Sequence, residues 1–258
     1  MIAMLRSVRI RLVRNTWERL ARLDPYWAII NRPDWRQNRA ELDEFFASGR
    51  ALIERQMAQA ATVSPEIQWG RAFDFGCGVG RLSAALATRF REVVGVDISA
   101  RMIALARQHH AAVENLTFVR NMRADLQAFS PGSFDLVYSL ITLQHLPPPL
   151  IRAYLCDFAR ICRPGGVLLF QLPSRELPRR RGNPWSLWPP TVATRLRRVF
   201  RRGFNRLVPI NPVIDVHCLD PEEVRTILVS VGARVLAQWP DDSCGPTYES
   251  FLYLARKG

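Results

Sequence analysis

The 258-residue chain is 48% hydrophobic and carries a formal net charge of +13. Its length fits one α/β domain with additions, and its even hydrophobic content excludes a disordered chain. No apolar run is long enough to span a bilayer, and the arginine-punctuated N-terminus lacks the apolar core of a secretory signal.

The five cysteines, Cys77, Cys156, Cys162, Cys218 and Cys244, form no C-x-x-C pair and no cluster with histidine. That spacing argues against a disulfide framework and against a bound metal, and it suits a reducing cytoplasm. The positive charge is localised. Residues 1–22 hold six arginines against one glutamate and residues 173–208 hold ten against one, while the rest of the chain is close to neutral.

In chain order, Leu5, Val8, Leu12, Leu20 and Leu23 fall near helical spacing and predict a basic amphipathic helix that Asp24-Pro25 ends. A break follows at Pro33, and residues 38–61 read as one or two helices interrupted at Ser48-Gly49. From Arg71 the pattern changes to strands at 71–75, 92–96, 116–120, 134–139 and 166–172, with helices at 81–90, 99–111 and 148–162 between them. Such alternation predicts a doubly wound α/β domain, a parallel sheet with helices on both faces and right-handed crossovers. The rhythm stops over residues 173–216, which are rich in proline, arginine and tryptophan. Asp220-Pro221-Glu222-Glu223 restarts it with a capping acid, a proline at the first helical position and acids in the first turn. That helix stops at Gly232, and two strands follow near 233–239 and 248–256.

The first strand runs into Asp74-Phe75-Gly76-Cys77-Gly78-Val79-Gly80, with a helix opening at Arg81. Alternate glycines permit positive φ and a close approach of backbone to ligand. The carboxyl end of a strand is also where open α/β sheets bind ligands. The dinucleotide pattern G-x-G-x-x-G fails in both frames, because Arg81 and Ser83 stand where it needs glycine. A nicotinamide oxidoreductase is thereby disfavoured. Asp97, ending the second strand, is placed to accept hydrogen bonds from ribose hydroxyls.

The pattern D-x-G-x-G-x-G at 74–80 resembles the first motif of the class I S-adenosylmethionine-dependent methyltransferases. Asn121-Met122-Arg123-Ala124-Asp125-Leu126, Ser133 to Ser139 and Arg163-Pro164-Gly165-Gly166 resemble later motifs in the family's order, with Cys162-Arg163 where the family usually has leucine. The resemblance covers residues 66–172 and, by topology, 219–256. It implies a seven-stranded, mostly parallel sheet with an antiparallel last strand, a helical cap over residues 1–65, and a methyltransferase domain over 66–258 with 173–216 inserted after the fifth strand.

The same resemblance implies S-adenosyl-L-methionine as cofactor. Its implied contacts are Asp74, Gly76, Cys77, Gly78, Gly80, Asp97, Ile98, Met102, Ala124, Asp125, Leu126 and Ser139. Asp74 would orient the methionine ammonium, and Asp125 would accept from the adenine amine. Plainer roles stand beside these: Asp97 as a cap near Ser99, Asp125 as the cap of a short helix. Asp135, at the start of its strand, reads as structural.

Methyl transfer from a sulfonium is an in-line displacement, so the protein mainly holds donor and acceptor aligned and dry. His145, after the fourth strand, is the candidate general base. The resemblance offers it a second role, closing its loop by hydrogen bonding. The segment Phe45-Phe46-Ala47-Ser48-Gly49-Arg50 offers an aromatic wall and a carboxylate-binding arginine, with core packing as the plainer role for the phenylalanines. Leu146-Pro147-Pro148-Pro149 does not match the N/D/S-P-P-Y/F/W motif of amino-methylating nucleic-acid enzymes, and no Pro-Cys nucleophile is present. The expected acceptor is a small or lipid-like organic molecule. A nucleic-acid methyltransferase and a cofactor-binding protein without catalysis are the alternatives.

Within the insertion, Val192, Leu196, Val199, Phe200, Phe204 and Leu207 share a helical stripe flanked by Arg195, Arg197, Arg198, Arg201 and Arg202, with Arg179-Arg180-Arg181, Trp185 and Trp188 upstream. Three readings stand: a lid packed on the body, a basic amphipathic surface on anionic membrane, and a nucleic-acid surface. The basic N-terminal helix adds weight to the second. The expected location is the cytoplasm, at a membrane surface under that second reading.

Overall fold

The computed structural model describes residues 2–30, 41–178 and 214–258. The break at Pro33, the Arg179-Arg180-Arg181 run, Trp185, Trp188 and the 192–207 stripe with its arginines lie outside the described residues.

Seven strands form one sheet: β1 (Arg71–Phe75), β2 (Glu92–Asp97), β3 (Leu116–Arg120), β4 (Phe134–Ser139), β5 (Cys162–Glu176), β6 (Ala233–Pro240) and β7 (Tyr248–Lys257). Their order is β3-β2-β1-β4-β5-β7-β6, with β7 antiparallel to both of its neighbours. The expected seven-stranded topology is therefore present, and the chain order reverses between β1 and β4. A reversal of that kind opens a crevice at the carboxyl ends of the strands.

The central strands are buried on both faces, which is why they read as continuous apolar runs. Phe73, Val137, Leu168 and Phe170 join the core beneath α6 (Pro148–Ile161) and α7 (Pro221–Ser230). Ala72, Leu136, Tyr138 and Leu169 join the core beneath α3 (Leu42–Val63), α4 (Arg81–Ala87) and α5 (Ala100–His109). The capping acid of α7 sits as expected, with the Asp220 carboxylate accepting from the Glu222 amide at 2.8 Å. Asp135 anchors the far end of the sheet: it accepts from the Arg71 amide at 2.6 Å and pairs with Arg163. Arg163, just before the Pro164-Gly165-Gly166 turn, thus has a structural partner in Asp135.

Three elements differ from the sequence expectation. β5 starts at Cys162 and reaches Glu176, because antiparallel β7 supplies partners as far as the Glu176–Tyr248 pair. The N-terminal helices are α1 (Ile2–Leu23) and α2 (Pro25–Ile29), and α1 turns Ile10, Leu20 and Ala21 inward while Leu12 is 64% exposed and Leu23 49%. The inward stripe also holds Val13 and Trp17. Leu20 thus follows the predicted stripe, whereas Leu12 and Leu23 do not.

The third difference is α3, which runs unbroken through Ser48-Gly49. A Cβ on Gly49 would lie 2.7 Å from both the Arg81 carbonyl oxygen and the Arg81 Cγ. Glycine here permits helix-to-helix contact with α4 and does not break the helix. In an open helix interior, Gly→Ala stabilises by about 0.5–1 kcal/mol. Here the contact reverses the sign: Gly49→Ala is expected to destabilise by roughly 1–3 kcal/mol in urea unfolding.

Candidate active site

The loop after β1 is hung on the end of β2. The Val96 carbonyl accepts from the Gly76 amide at 2.7 Å and from the Cys77 amide at 3.0 Å. The Asp97 carboxylate accepts from the Gly78 amide at 3.0 Å and from the Ser99 amide at 2.8 Å. Gly76, Gly78 and Gly80 all take positive φ, at 80°, 55° and 83°. Added Cβ atoms there would meet Thr142 at 2.1 Å, Ile29 at 2.7 Å and Phe118 at 2.6 Å respectively. The first two are walls of the crevice, so side chains at 76 or 78 would fill it.

Asp97 uses one lone pair of each oxygen on these amides. Each oxygen keeps a second for a ligand hydroxyl. Ser99 is a separate N-cap, accepting from Met102 and donating to Glu18 of α1 at 2.8 Å. Capping therefore does not consume Asp97. Burial pushes its carboxyl up to about 6, against amide hydrogen bonds that lower it.

Asp74 is 2% exposed and accepts from the Ser83 hydroxyl at 2.6 Å. Burial pushes it up to about 6 as well. Arg81 lies beside it, 6% exposed. Its guanidinium donates to Ser48 at 3.2 Å and stands 5.7 Å from the Phe45 ring centre. Its Nε is buried with no hydrogen-bond partner among the described residues. Arg50, the arginine singled out in the sequence, is exposed.

The crevice joins most of the expected contacts: Asp74, Gly76, Cys77, Gly78, Asp97, Ile98 and Met102 line it. Gly80, Ala124, Asp125, Leu126 and Ser139 do not. Gly80 lies against Phe118 and His110. Ala124 packs beside the core and Leu126 is fully buried in it. The Ser139 hydroxyl donates to the Phe75 carbonyl at 3.1 Å. The Asp125 carboxylate is held by Arg123 at 2.8 Å, and its neighbour Asn121 reaches the crevice instead.

Several lining residues went unread in the sequence: Trp17 and Ile29 from the cap, Arg81, Asn121, Ile141 and Thr142. One signal was available for the 141–142 corner. Gln171 stands alone in the apolar run of β5 and is fully buried. Its side-chain oxygen accepts from the Ile141 amide at 3.1 Å, and its amide donates to Gln144 at 3.1 Å and to Ser250 at 2.6 Å. Ile141 is the one non-glycine residue at positive φ among the described residues, at 52°. For a β-branched residue that is a strained backbone, and strain of this kind persists only where surroundings hold it.

His145 lies outside this crevice, in an adjoining pocket that shares Val13 and Trp17 with it. Its Nδ1 stands 3.2 Å from the Asp215 carbonyl, an acceptor, so Nδ1 carries the proton. Nε2 then faces the Gln144 side-chain nitrogen at 3.3 Å. Burial holds the ring neutral, lowering it to about 4.

Residues 72–166 match the family model described as a methyltransferase domain. The trans-aconitate 2-methyltransferase of Deinococcus radiodurans is 42% identical over 115 residues, 43% of this chain and 41% of that one. The ubiquinone biosynthesis O-methyltransferase of Xanthomonas campestris pv. campestris is 36% identical over 155 residues, 59% of this chain and 61% of the relative. The chain thus spans about half the length of the curated relatives it matches. Magnesium protoporphyrin IX methyltransferase from Synechocystis PCC 6803, with bound SAH, superposes with a TM-score of 0.63 at 19% identity, covering 96% of this chain and 99% of that one. At that identity the likeness is one of fold. The sheet order, the glycine corner and the matched domain define a nucleotide-type crevice on a class I fold. Residues 72–166 thus match a methyltransferase domain, and the fold is that of the class I S-adenosylmethionine-dependent methyltransferases.

The two raised carboxyls give opposite pH trends. Both ordinarily titrate near 3.8 and here near 6, so the folded chain holds protons the unfolded chain has released between those values. Their contribution makes ligand-free stability fall as pH rises across that window. A ribose held by Asp97 would need that carboxylate ionised, so affinity for S-adenosylhomocysteine is expected to rise over the same window and to level above about pH 6. Asp97→Asn is expected to weaken that affinity about 10- to 100-fold by calorimetry.

Proposed function

We propose that this protein transfers the methyl group of S-adenosylmethionine to an oxygen atom of a small organic acceptor. One observation carries the reading. The glycine corner brings together a carboxylate with free lone pairs at the end of β2, a buried carboxylate on β1, and a buried guanidinium whose Nε has no partner among the described residues. That set complements a nucleoside joined to a zwitterionic amino acid.

In this reading Asp97 accepts from both ribose hydroxyls, Asp74 faces the ammonium and Arg81 faces the carboxylate. Asn121 stands at the base end, with Asp125 locking its loop through Arg123. When bound, the cofactor supplies a methyl group on a sulfonium, so the leaving group is built in. The chain's task is alignment and exclusion of water. Trp17 and Ile29 close the crevice from the cap, and Gln171 holds the strained Ile141 peptide beside it. The oxygen acceptor is supported by the name of one relative, a ubiquinone biosynthesis O-methyltransferase, and the small organic acceptor also by that of the trans-aconitate 2-methyltransferase.

His145 acts by position in this account. A neutral ring that donates to Asp215 and accepts from Gln144 ties residues 214–217 to the loop after β4, and it has no free nitrogen for a substrate proton. Incubation with methyl-labelled S-adenosylmethionine and separate carboxylic and phenolic acceptors is expected to label an acceptor oxygen. Cofactor binding with no labelled product from either class would contradict transfer. His145→Ala is expected to lose less than about tenfold in turnover, below what a general base supplies. A larger loss with an altered pH profile would make His145 the base.

A further inference from the structure

The charge of α1 is not used by the crevice it covers. Five arginines, Arg9, Arg11, Arg14, Arg19 and Arg22, fall within its described side chains, against the single acid Glu18. Glu18 is turned inward: it accepts from the Ser99 hydroxyl, and amides at the start of α5 help hold it ionised. Its one basic contact on the helix among the described residues is Arg22 at 3.5 Å, whose guanidinium is exposed, so the pair has little strength.

The outward face is therefore positive and carries apolar side chains. Arg11, Asn15, Arg19 and Arg22 form one exposed stripe at helical spacing. Leu12, 64% exposed, and Leu23, 49% exposed, lie beside it. Exposed leucines set among exposed arginines suit an interface between water and hydrocarbon, where guanidinium meets phosphate and leucine enters the acyl boundary. No helix among the described residues is long and apolar enough to cross a membrane, so contact of this kind is peripheral.

The face also sits at an entrance. Arg9 and Leu12 rim the pocket that holds His145, and that pocket shares Val13 and Trp17 with the cofactor crevice. The second basic segment of the sequence returns to the described structure at Ile214 and Asp215, which line the same pocket. Among the described residues that line it, Asp215 is the one acidic residue, against Arg9 and two imidazoles.

We propose that the outward face of α1 docks on an anionic phospholipid bilayer, placing the pocket beside Trp17 at the membrane surface so that a lipid-soluble acceptor enters from it. The acceptor clause rests on the methyl-transfer reading; the docking does not.

The test is sedimentation of the full chain with vesicles of phosphatidylcholine alone or with about 30% phosphatidylglycerol, at about 0.05 M and 0.5 M salt. Binding is expected only to the anionic vesicles and mainly at low salt. Replacing Arg11 and Arg19 together by glutamine is expected to weaken it about 25-fold, near fivefold for each charge. Leu12→Ser is expected to weaken it severalfold at either salt concentration. Affinity for S-adenosylhomocysteine should be unchanged in both variants, which shows α1 still docked on the body. No binding to anionic vesicles at low salt would overturn the proposal. So would wild-type vesicle binding by the double variant, or capture of an RNA oligonucleotide that anionic vesicles fail to displace. Vesicle binding by a chain that does not bind S-adenosylhomocysteine would support docking while removing the reaction.

Discussion

The attachment of the glycine loop to the end of β2 is the constraint on which the site depends. Three amides of one loop, those of Gly76, Cys77 and Gly78, are taken by the carbonyl of Val96 and the carboxylate of Asp97. Each such bond contributes on the order of 1 kcal/mol. Together they force the chain into left-handed backbone at alternate residues and leave no room for side chains on the crevice side. The register of β1 against β2, with Phe75 opposite Val96, brings the two strand ends level for this to happen. The same carboxylate that fixes the loop also lines the crevice, so under the proposed function structure and recognition would share one group.

That economy leaves charges in a dry place. Asp74 and Arg81 are buried together, yet no direct ion pair joins them: the carboxylate takes the Ser83 hydroxyl and the guanidinium takes Ser48. Burying ions with incomplete partners costs stability unless a ligand supplies the complement. A zwitterion would do so. The strained Ile141 peptide belongs to the same logic, since it is held by a buried amide chain that runs from Ser250 through Gln171 and Gln144 to His145. The binding corner is thus built in advance and maintained by the sheet beneath it.

Much of the fold was legible because its signals are local. The alternation of apolar runs and helical stretches marked every strand of the sheet, and Asp220-Pro221 marked α7. The glycine spacing at 76, 78 and 80, with Asp97 after it, pointed to the crevice. What the sequence concealed depends on contacts between distant segments. Gly49 reads as a helix breaker until Arg81 is seen against it. Arg50 was the plausible carboxylate partner by position, but helix phase turns it to solvent and leaves Arg81 inside. Leu12 belonged to a reasonable apolar stripe, whereas α1 is rotated to put Val13 and Trp17 over the crevice. The 121–126 loop shows the same limit, because only the folded chain shows Arg123 holding the Asp125 carboxylate while Asn121 lines the crevice.

The most direct measurement of the central claim is a crystal structure of the chain soaked with S-adenosylhomocysteine. The account predicts the ribose hydroxyls on the Asp97 carboxylate, the amino-acid carboxylate facing the Arg81 Nε, and the sulfur beside the 139–142 corner. Product bound elsewhere, or bound at the corner with Asp97 and Arg81 both untouched, would contradict it.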